Sequence, residues 1–269
     1  MPGAEIGVFG GSGFYSLVEG LREHHVPTPY GPASAAVACG EVAGRAVAFL
    51  PRHGPGHELP AHAINYRANL WAFRELGVTR VLGPAAAGSL QPDVRPGDVV
   101  ICDQVVDRTS GRPSTFYDGP VAVHVSWADP YCAELRPLAA EAVGATGMTV
   151  HGEGTCVVIE GPRFSTRAES DWYTRNGWHV INMTQYPEAY LARELEMCYV
   201  NLSLITDYDA GVHDDPSSTP VTMEEVFRVF SANVDRLRDA VLGLVERIPR
   251  ERDCRCGRAL DGTPLRPGS

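Results

Sequence analysis

Short apolar runs bounded by glycine and proline alternate along this chain with longer stretches of helical spacing. Residues 5–9, 46–50, 79–82, 98–102, 155–159, 179–181 and 198–205 have the apolar character of buried strands. Between them, apolar spacing predicts helices over 63–76, closed by Gly77, over 130–143, over 166–176 and over 187–196. Thr166 and Glu169 have the spacing of a capping box, and Pro187 suits a first helical turn. Alternation of this kind predicts an α/β fold with a mixed sheet, and no internal repeat is visible.

The strongest helical stripe runs over 223–248, with Thr222 and Glu225 as a second capping box. A single domain over 1–249 is expected to end there, leaving 250–269, rich in Arg, Gly and Pro, as a mobile tail. Within that tail, Cys254-x-Cys256-Gly is half of a zinc knuckle. A structural zinc site needs four ligands and no second pair follows, so no metal is expected.

The 269 residues, 44% of them hydrophobic, suffice for one large core. All 23 basic residues are arginine. The absence of lysine excludes Schiff-base and pyridoxal-phosphate enzymes, the phosphate-loop lysine of nucleotidases and the strand lysine of protein kinases. Any phosphate must therefore be held by arginine, hydroxyls and backbone amides. A net charge of −10 argues against nucleic-acid partners and favours small molecules. No apolar run approaches the ~18 residues of a membrane span, and the N-terminus has no basic leader, so a cytoplasmic location is expected. Seven cysteines, an odd number set mostly in apolar runs, read as reduced core thiols.

Several segments could carry chemistry. Gly10-Gly11-Ser12-Gly13 follows the first strand, where amides and a hydroxyl can close on an anion, although a plain turn would look the same. Its spacing fails both the dinucleotide fingerprint and the nucleophile elbow. Arg52-His53 ends the next strand, the place where open α/β sheets bind ligands, whereas His57 and His62 read as loop residues. The small segment 83–89, after the third strand, permits close ligand approach or mere tight packing. Phe164 and Ser165 offer an aromatic face and a hydroxyl; Thr184 could cap a helix or share its amides with an anion. Asp207 and Asp209 close the most apolar strand, where burial and mutual repulsion would raise a carboxyl pKa, unless they form a solvated acidic turn.

Taken in order, these segments resemble the trimeric purine nucleoside phosphorylase family, most closely its S-methyl-5′-thioadenosine phosphorylase branch. The matching stretches are 10–13, 52–54, 86–89, 96–98, 107–109, 114–118, 160–165, 168–169, 182–184, 187–188 and 206–209. The resemblance implies a partly barrel-like central sheet flanked by helices, and phosphorolysis of a purine nucleoside with phosphate as co-substrate and no cofactor. It implies that Ser12, Arg52, His53, Thr184 and the backbone at Ala85 and Ala86 bind phosphate. Met183 would lie under the ribose, Phe164 against base or sugar, and Asp207, supported by Ser165, would protonate the purine N7. Asp209 would help receive a 6-amino group, because relatives that prefer 6-oxopurines carry asparagine where Asp207 stands. Met223, Val226 and Phe227 would form an apolar pocket for the 5′-substituent, and His124 would reach a neighbouring subunit's site in a homotrimer. Where many relatives place a threonine or serine on phosphate, this chain has Ala85. The alternatives are a phosphorylase for other 5′-modified adenosines or for 6-oxopurine nucleosides, and a non-catalytic nucleoside-binding protein.

Overall fold

The apolar run beginning at Cys198 forms the longest strand of the described residues, and its alternation sets the layers of the fold. The structure, a computed structural model, describes residues 3–11, 14, 16–17, 20–210, 212 and 221–263. In them lie strands β1 (Ile6–Gly10), β2 (Arg22–His24), β3 (Val37–Val42), β4 (Arg45–Pro51), β5 (Arg80–Ser89), β6 (Val99–Val100), β7 (Gln104–Arg108), β8 (Val150–His151), β9 (Thr155–Ile159), β10 (Val180–Asn182) and β11 (Cys198–Tyr208). The helices are α1 (Tyr66–Glu75), α2 (Leu135–Ala145), α3 (Arg167–Arg175), α4 (Gln185–Glu194) and α5 (Met223–Arg247). Cys198, Val200, Leu202 and Leu204 of β11 pack in the core formed with α2 and α5, whereas Tyr199 and Ile205 join α1 and α4 on the other face. Burial on both faces is why this strand reads as a continuous apolar run.

β5 is the branch point of one mixed sheet. Its first residues lie parallel between β1 and β11, while Gly88 and Ser89 pair antiparallel with β10 and β11 continues alongside. One path through the sheet is β2-β3-β4-β1-β5-β10-β9-β7, and β11 leads off it to β6 and β8. The α/β expectation therefore holds, but 83–89 is strand rather than a segment after one. Its small residues serve packing: a Cβ on Gly83 would lie 2.2 Å from the Tyr199 hydroxyl. Because β1, β4, β5 and β11 are parallel, their carboxyl ends converge on one edge.

The caps show which local signals were obeyed. Thr166 and Glu169 form the reciprocal box that opens α3. Thr222 accepts from the Glu225 amide at 3.2 Å, but the Glu225 carboxylate turns to Arg228 at 2.6 and 2.9 Å. The short strands β2, β3, β7 and β8 have no long apolar run to announce them.

The expectation of a mobile tail fails for 250–263. That segment folds back, with Cys256 and Leu260 buried, and Arg80 donates to the carbonyls of Pro249 and Arg250 at 3.0 and 2.8 Å. Residues 264–269 lie outside the described residues. The second cysteine pair, sought after Cys254-x-Cys256, lies earlier in the chain: the sulfurs of Cys132, Cys198, Cys254 and Cys256 all lie within 4.8 Å of one another.

Candidate active site

A cavity of about 360 Å³ opens where the parallel strands end. Gly11 follows β1, Arg52 and His53 follow β4, Ala85 and Ala86 belong to β5, and Asp207 lies near the end of β11. Phe164, Ser165, Met183, Thr184, Asp209, Met223 and Val226 also line it. Phe227 does not, but its ring packs edge-on to His57, 5.8 Å away. His124 is exposed and outside the cavity of its own chain. Ser12 lies outside the described residues.

At one end stands Arg52, only 1% exposed. Its Nε and Nη2 donate to Glu188 at 2.7 and 2.8 Å, and Nη1 donates to the Pro84 carbonyl at 2.8 Å. Glu188 is itself fully buried and accepts from the Tyr199 hydroxyl at 2.7 Å. Burial opposes the charge on Arg52, but the Glu188 carboxylate outweighs it and raises the pKa. The guanidinium keeps one N–H on each terminal nitrogen beyond these bonds. Gly11 lets an anion come close: a Cβ there would lie 3.1 Å from Nη1.

His53 Nδ1 lies 2.9 Å from the Leu59 carbonyl. Burial, with smaller contributions from the charges of Arg52 and His57, lowers its pKa to about 4. The ring is thus neutral at pH 7; since a carbonyl can only accept, Nδ1 carries the proton and Nε2 offers a lone pair. His57, expected to be a plain loop residue, also lines the cavity and stacks on His53 at 4.5 Å. Thr184 is buried at the start of α4 but makes no side-chain cap. Asn182 takes that part instead, its Oδ1 accepting from the amides of Thr184 and Gln185 at 3.3 and 3.4 Å.

The other end is acidic. Asp207 and Asp209 are 9% and 5% exposed, so the alternative of a solvated turn fails. Burial, chiefly, and then the charges of Asp209 and Glu225 raise Asp207 to about 6, against the Thr206 hydroxyl donating to Oδ1 at 2.6 Å. A register shift between Ile205 and Asp207 turns the strand here, and Gly88 gives the carboxyl room, since a Cβ there would sit 3.0 Å from Oδ2. Burial likewise raises Asp209, although the Ser170 and Ser165 hydroxyls act against it, so Ser165, expected to support Asp207, stands at Asp209 instead, and Thr206 is the hydroxyl at Asp207. Asp209 Oδ2, Ser165 Oγ and Asn182 Nδ2 are buried without an aligned hydrogen-bond partner among the described residues. Three such atoms around one cavity mark where a polar ligand belongs.

Two contributors escaped the sequence reading. Glu188 belongs to the matching stretch 187–188, which gives it no role. Arg112, 9% exposed in a polar loop, donates to the carbonyls of Met183, Tyr186 and Glu160 at 2.8, 2.7 and 2.8 Å, joining the two loops that line the middle of the cavity. Nothing in its local sequence separates it from a surface arginine.

These elements together define a phosphorylase architecture, and the chain belongs to the phosphorylase superfamily, whose family model matches residues 5–246. It is 55% identical to a purine nucleoside phosphorylase from Streptomyces coelicolor, covering 96% of this chain and 95% of that one. It is 49% identical to an S-methyl-5′-thioadenosine phosphorylase from Thermofilum pendens, covering 97% and 98%. The solved methylthioadenosine phosphorylase from Schistosoma mansoni in complex with adenine superposes with a TM-score of 0.86 at 35% identity, covering 90% of this chain and 91% of that one.

Proposed function

We propose that this chain cleaves S-methyl-5′-thioadenosine with phosphate, giving adenine and 5-methylthioribose 1-phosphate, a salvage reaction. The observation that carries the reading is the pairing of two unlike ends in one cavity: a preset anion cradle and, across from it, buried carboxyls with raised pKa. Phosphate, the co-substrate, is held by the free N–H bonds of Arg52, the Thr184 hydroxyl and amides near Gly11, Ala85 and Ala86. Nε2 of His53 accepts the remaining O–H of hydrogen phosphate, which directs an anionic oxygen at the sugar. That oxygen bonds to C1′ as the C1′–N9 bond breaks and its electrons pass to the purine. Asp207 supplies the proton that N7 gains, so the base leaves neutral. Asp209, with Ser165 beside it, receives the 6-amino group. Met183 lies under the ribose, Phe164 packs beside it, and Met223, Val226 and Phe227 give the 5′-methylthio group an apolar environment. No cofactor or resident metal takes part in this chemistry.

The same reading makes the working molecule a cytoplasmic homotrimer in which the exposed His124 completes a neighbour's site. Light scattering should give three chains per particle, and His124→Ala should raise KM for nucleoside.

A nucleoside panel with and without phosphate, following free base, tests the function. Adenine should appear from methylthioadenosine only when phosphate is present. Base release without phosphate would make the protein a hydrolase. The 55% identity to a purine nucleoside phosphorylase supports a second reading, turnover of 6-oxopurine nucleosides. Equal turnover of inosine and methylthioadenosine would decide for it.

A further inference from the structure

At the opposite end of β11 from Asp207 lies a cluster with which phosphorolysis has nothing to do. Cys132 precedes α2, Cys198 opens β11, and Cys254 and Cys256 flank the start of the 3-10 turn Arg255–Arg258. At the rise of a strand, about 3.3 Å per residue, Cys198 and Asp207 are roughly 30 Å apart along β11. All four cysteines are free thiols, and all but Cys254 are buried. Their sulfurs lie within 4.8 Å of one another, with Cys198 and Cys254 at 3.3 Å. Four thiolates around zinc at about 2.3 Å define a tetrahedron with edges of about 3.8 Å, so the cluster has the size of that site before any ion enters.

We propose that Cys132, Cys198, Cys254 and Cys256 form a structural zinc site that pins residues 250–263 to the body of the fold. The donor set is all sulfur, which selects a soft or borderline d10 cation over magnesium, calcium or manganese. With four protein ligands the coordination is closed, leaving no position for a substrate, as in structural rather than catalytic zinc centres. Binding is a ligand exchange without redox change: Zn²⁺ takes four thiolates and four thiol protons pass to solvent.

The scaffold holds the ligands from both sides. The Cys132 amide donates to the Tyr199 carbonyl at 2.9 Å, and the Cys198 amide to the Thr79 carbonyl at 2.9 Å, which fixes the first pair on the sheet. On the tail side, Arg252 donates to the Glu196 carbonyl at 2.8 Å, bringing the Cys-x-Cys turn over β11. Arg193 of α4 donates to the carbonyls of Asp129 and Pro130 at 2.6 and 3.4 Å, which ties down the segment that carries Cys132. The separation in sequence, from 132 to 256, is why the half-knuckle looked unpaired.

The test uses the full chain, purified under reducing conditions and without a metal-affinity step, then supplied with one equivalent of zinc or cobalt. Elemental analysis should find about one zinc per chain, and the cobalt form should show the intense visible absorption of tetrahedral thiolate coordination. Cys254→Ser/Cys256→Ser should bring zinc to near zero and abolish that absorption while phosphorolytic activity is kept, because both residues sit away from the cavity. Proteolysis at 250–263 should become several-fold faster in this variant and in chelator-treated wild-type protein. The proposal is overturned if the reduced wild-type chain takes up neither ion, if the double variant keeps one zinc per chain, or if thiol titration of freshly prepared protein finds the four sulfurs paired as disulfides. None of these readouts depends on which nucleoside the enzyme cleaves.

Discussion

The two ends of the cavity solve opposite electrostatic problems. At the Arg52 end, a buried cation has found its anion within the fold, and every atom of Glu188 that could be left wanting is used by Arg52 or Tyr199. At the Asp207 end, two buried carboxyls face each other with hydroxyls for company and no arginine paired to either among the ion pairs of the described residues. The first end is finished before any ligand arrives; the second is incomplete without one. This also qualifies a simple picture of phosphate binding, because the Arg52 charge is largely spent on Glu188. The anion must be held by dipoles, a hydroxyl and two residual N–H bonds, which act by position more than by net charge.

Breaking the acidic end should have the largest effect. On the proposed mechanism Asp207→Ala removes the proton donor for the departing base, and general acid catalysis of this kind is worth about a hundredfold to ten-thousandfold. Steady-state kinetics with methylthioadenosine should show that loss mainly in kcat, with stability unchanged or improved, since a desolvated carboxyl has been removed. Asp207→Asn should shift preference toward inosine, whose carbonyl an amide can serve. A loss carried by KM alone would mean that Asp207 binds the base without protonating it.

Breaking the other end should do the reverse. Glu188→Ala leaves the Arg52 charge buried without its partner and the Tyr199 hydroxyl without its acceptor, a change that costs about 3–5 kcal/mol of stability. Denaturation midpoints will show it, and Asp209→Asn is the control: removing a carboxyl that has no cation opposite should leave the midpoint in place or raise it. Equal destabilisation by both would erase the distinction between the two ends.

The contrast also explains what could be read from sequence. Asp207 and Asp209 were half legible: closing an apolar run, they read either as buried carboxyls or as a solvated turn, and their burial in the fold decides between the two. Thr166 with Glu169 was legible outright, and so was α5, whose stripe is local. Glu188 as the partner of Arg52 was not legible, since 136 residues separate them and only the convergence of β4 with α4 brings them together. Arg112 gave no signal for the same reason, and Cys132 and Cys198 looked like ordinary core thiols. The small residues of 83–89 announced close packing or close ligand approach, but not that the third strand continues through them; in β5 they let Tyr199 and Asp207 approach a central strand. Local chemistry announces itself along the chain; partnership across the fold does not.

The acidic end also predicts a pH dependence. Asp207 has an ordinary value of 3.8 and a folded value of about 6, so the native state holds this proton more tightly than the unfolded chain. Its contribution to stability is therefore favourable at low pH and declines as pH rises between about 4 and 6, by on the order of 3 kcal/mol, after which it is flat. Asp209 is raised too and acts in the same direction. Denaturant titrations of wild type and Asp207→Asn across this window should diverge, with the variant lacking that share of the decline. Parallel profiles would show that the carboxyl is not desolvated. In the free enzyme, kcat/KM should fall above pH 6 as the proton donor ionises.

The smallest expected effect lies at the finished end. Ala85 is buried, lines the cavity and pairs with Ser203 across β5 and β11, so its backbone position is fixed and only its side chain can change what an anion meets. Ala85→Ser adds one hydroxyl to a cradle whose arginine is mostly committed to Glu188. A hydrogen bond to a charged acceptor contributes about 1.5–3 kcal/mol, which corresponds to a KM for phosphate about 10- to 150-fold lower. Because the new donor acts on phosphate and not on the purine, KM for the nucleoside and the preference between methylthioadenosine and inosine should stay put. A change in nucleoside preference instead would mean that the two ends are coupled through the substrate, and the independence inferred from their separate hydrogen-bond networks would be lost.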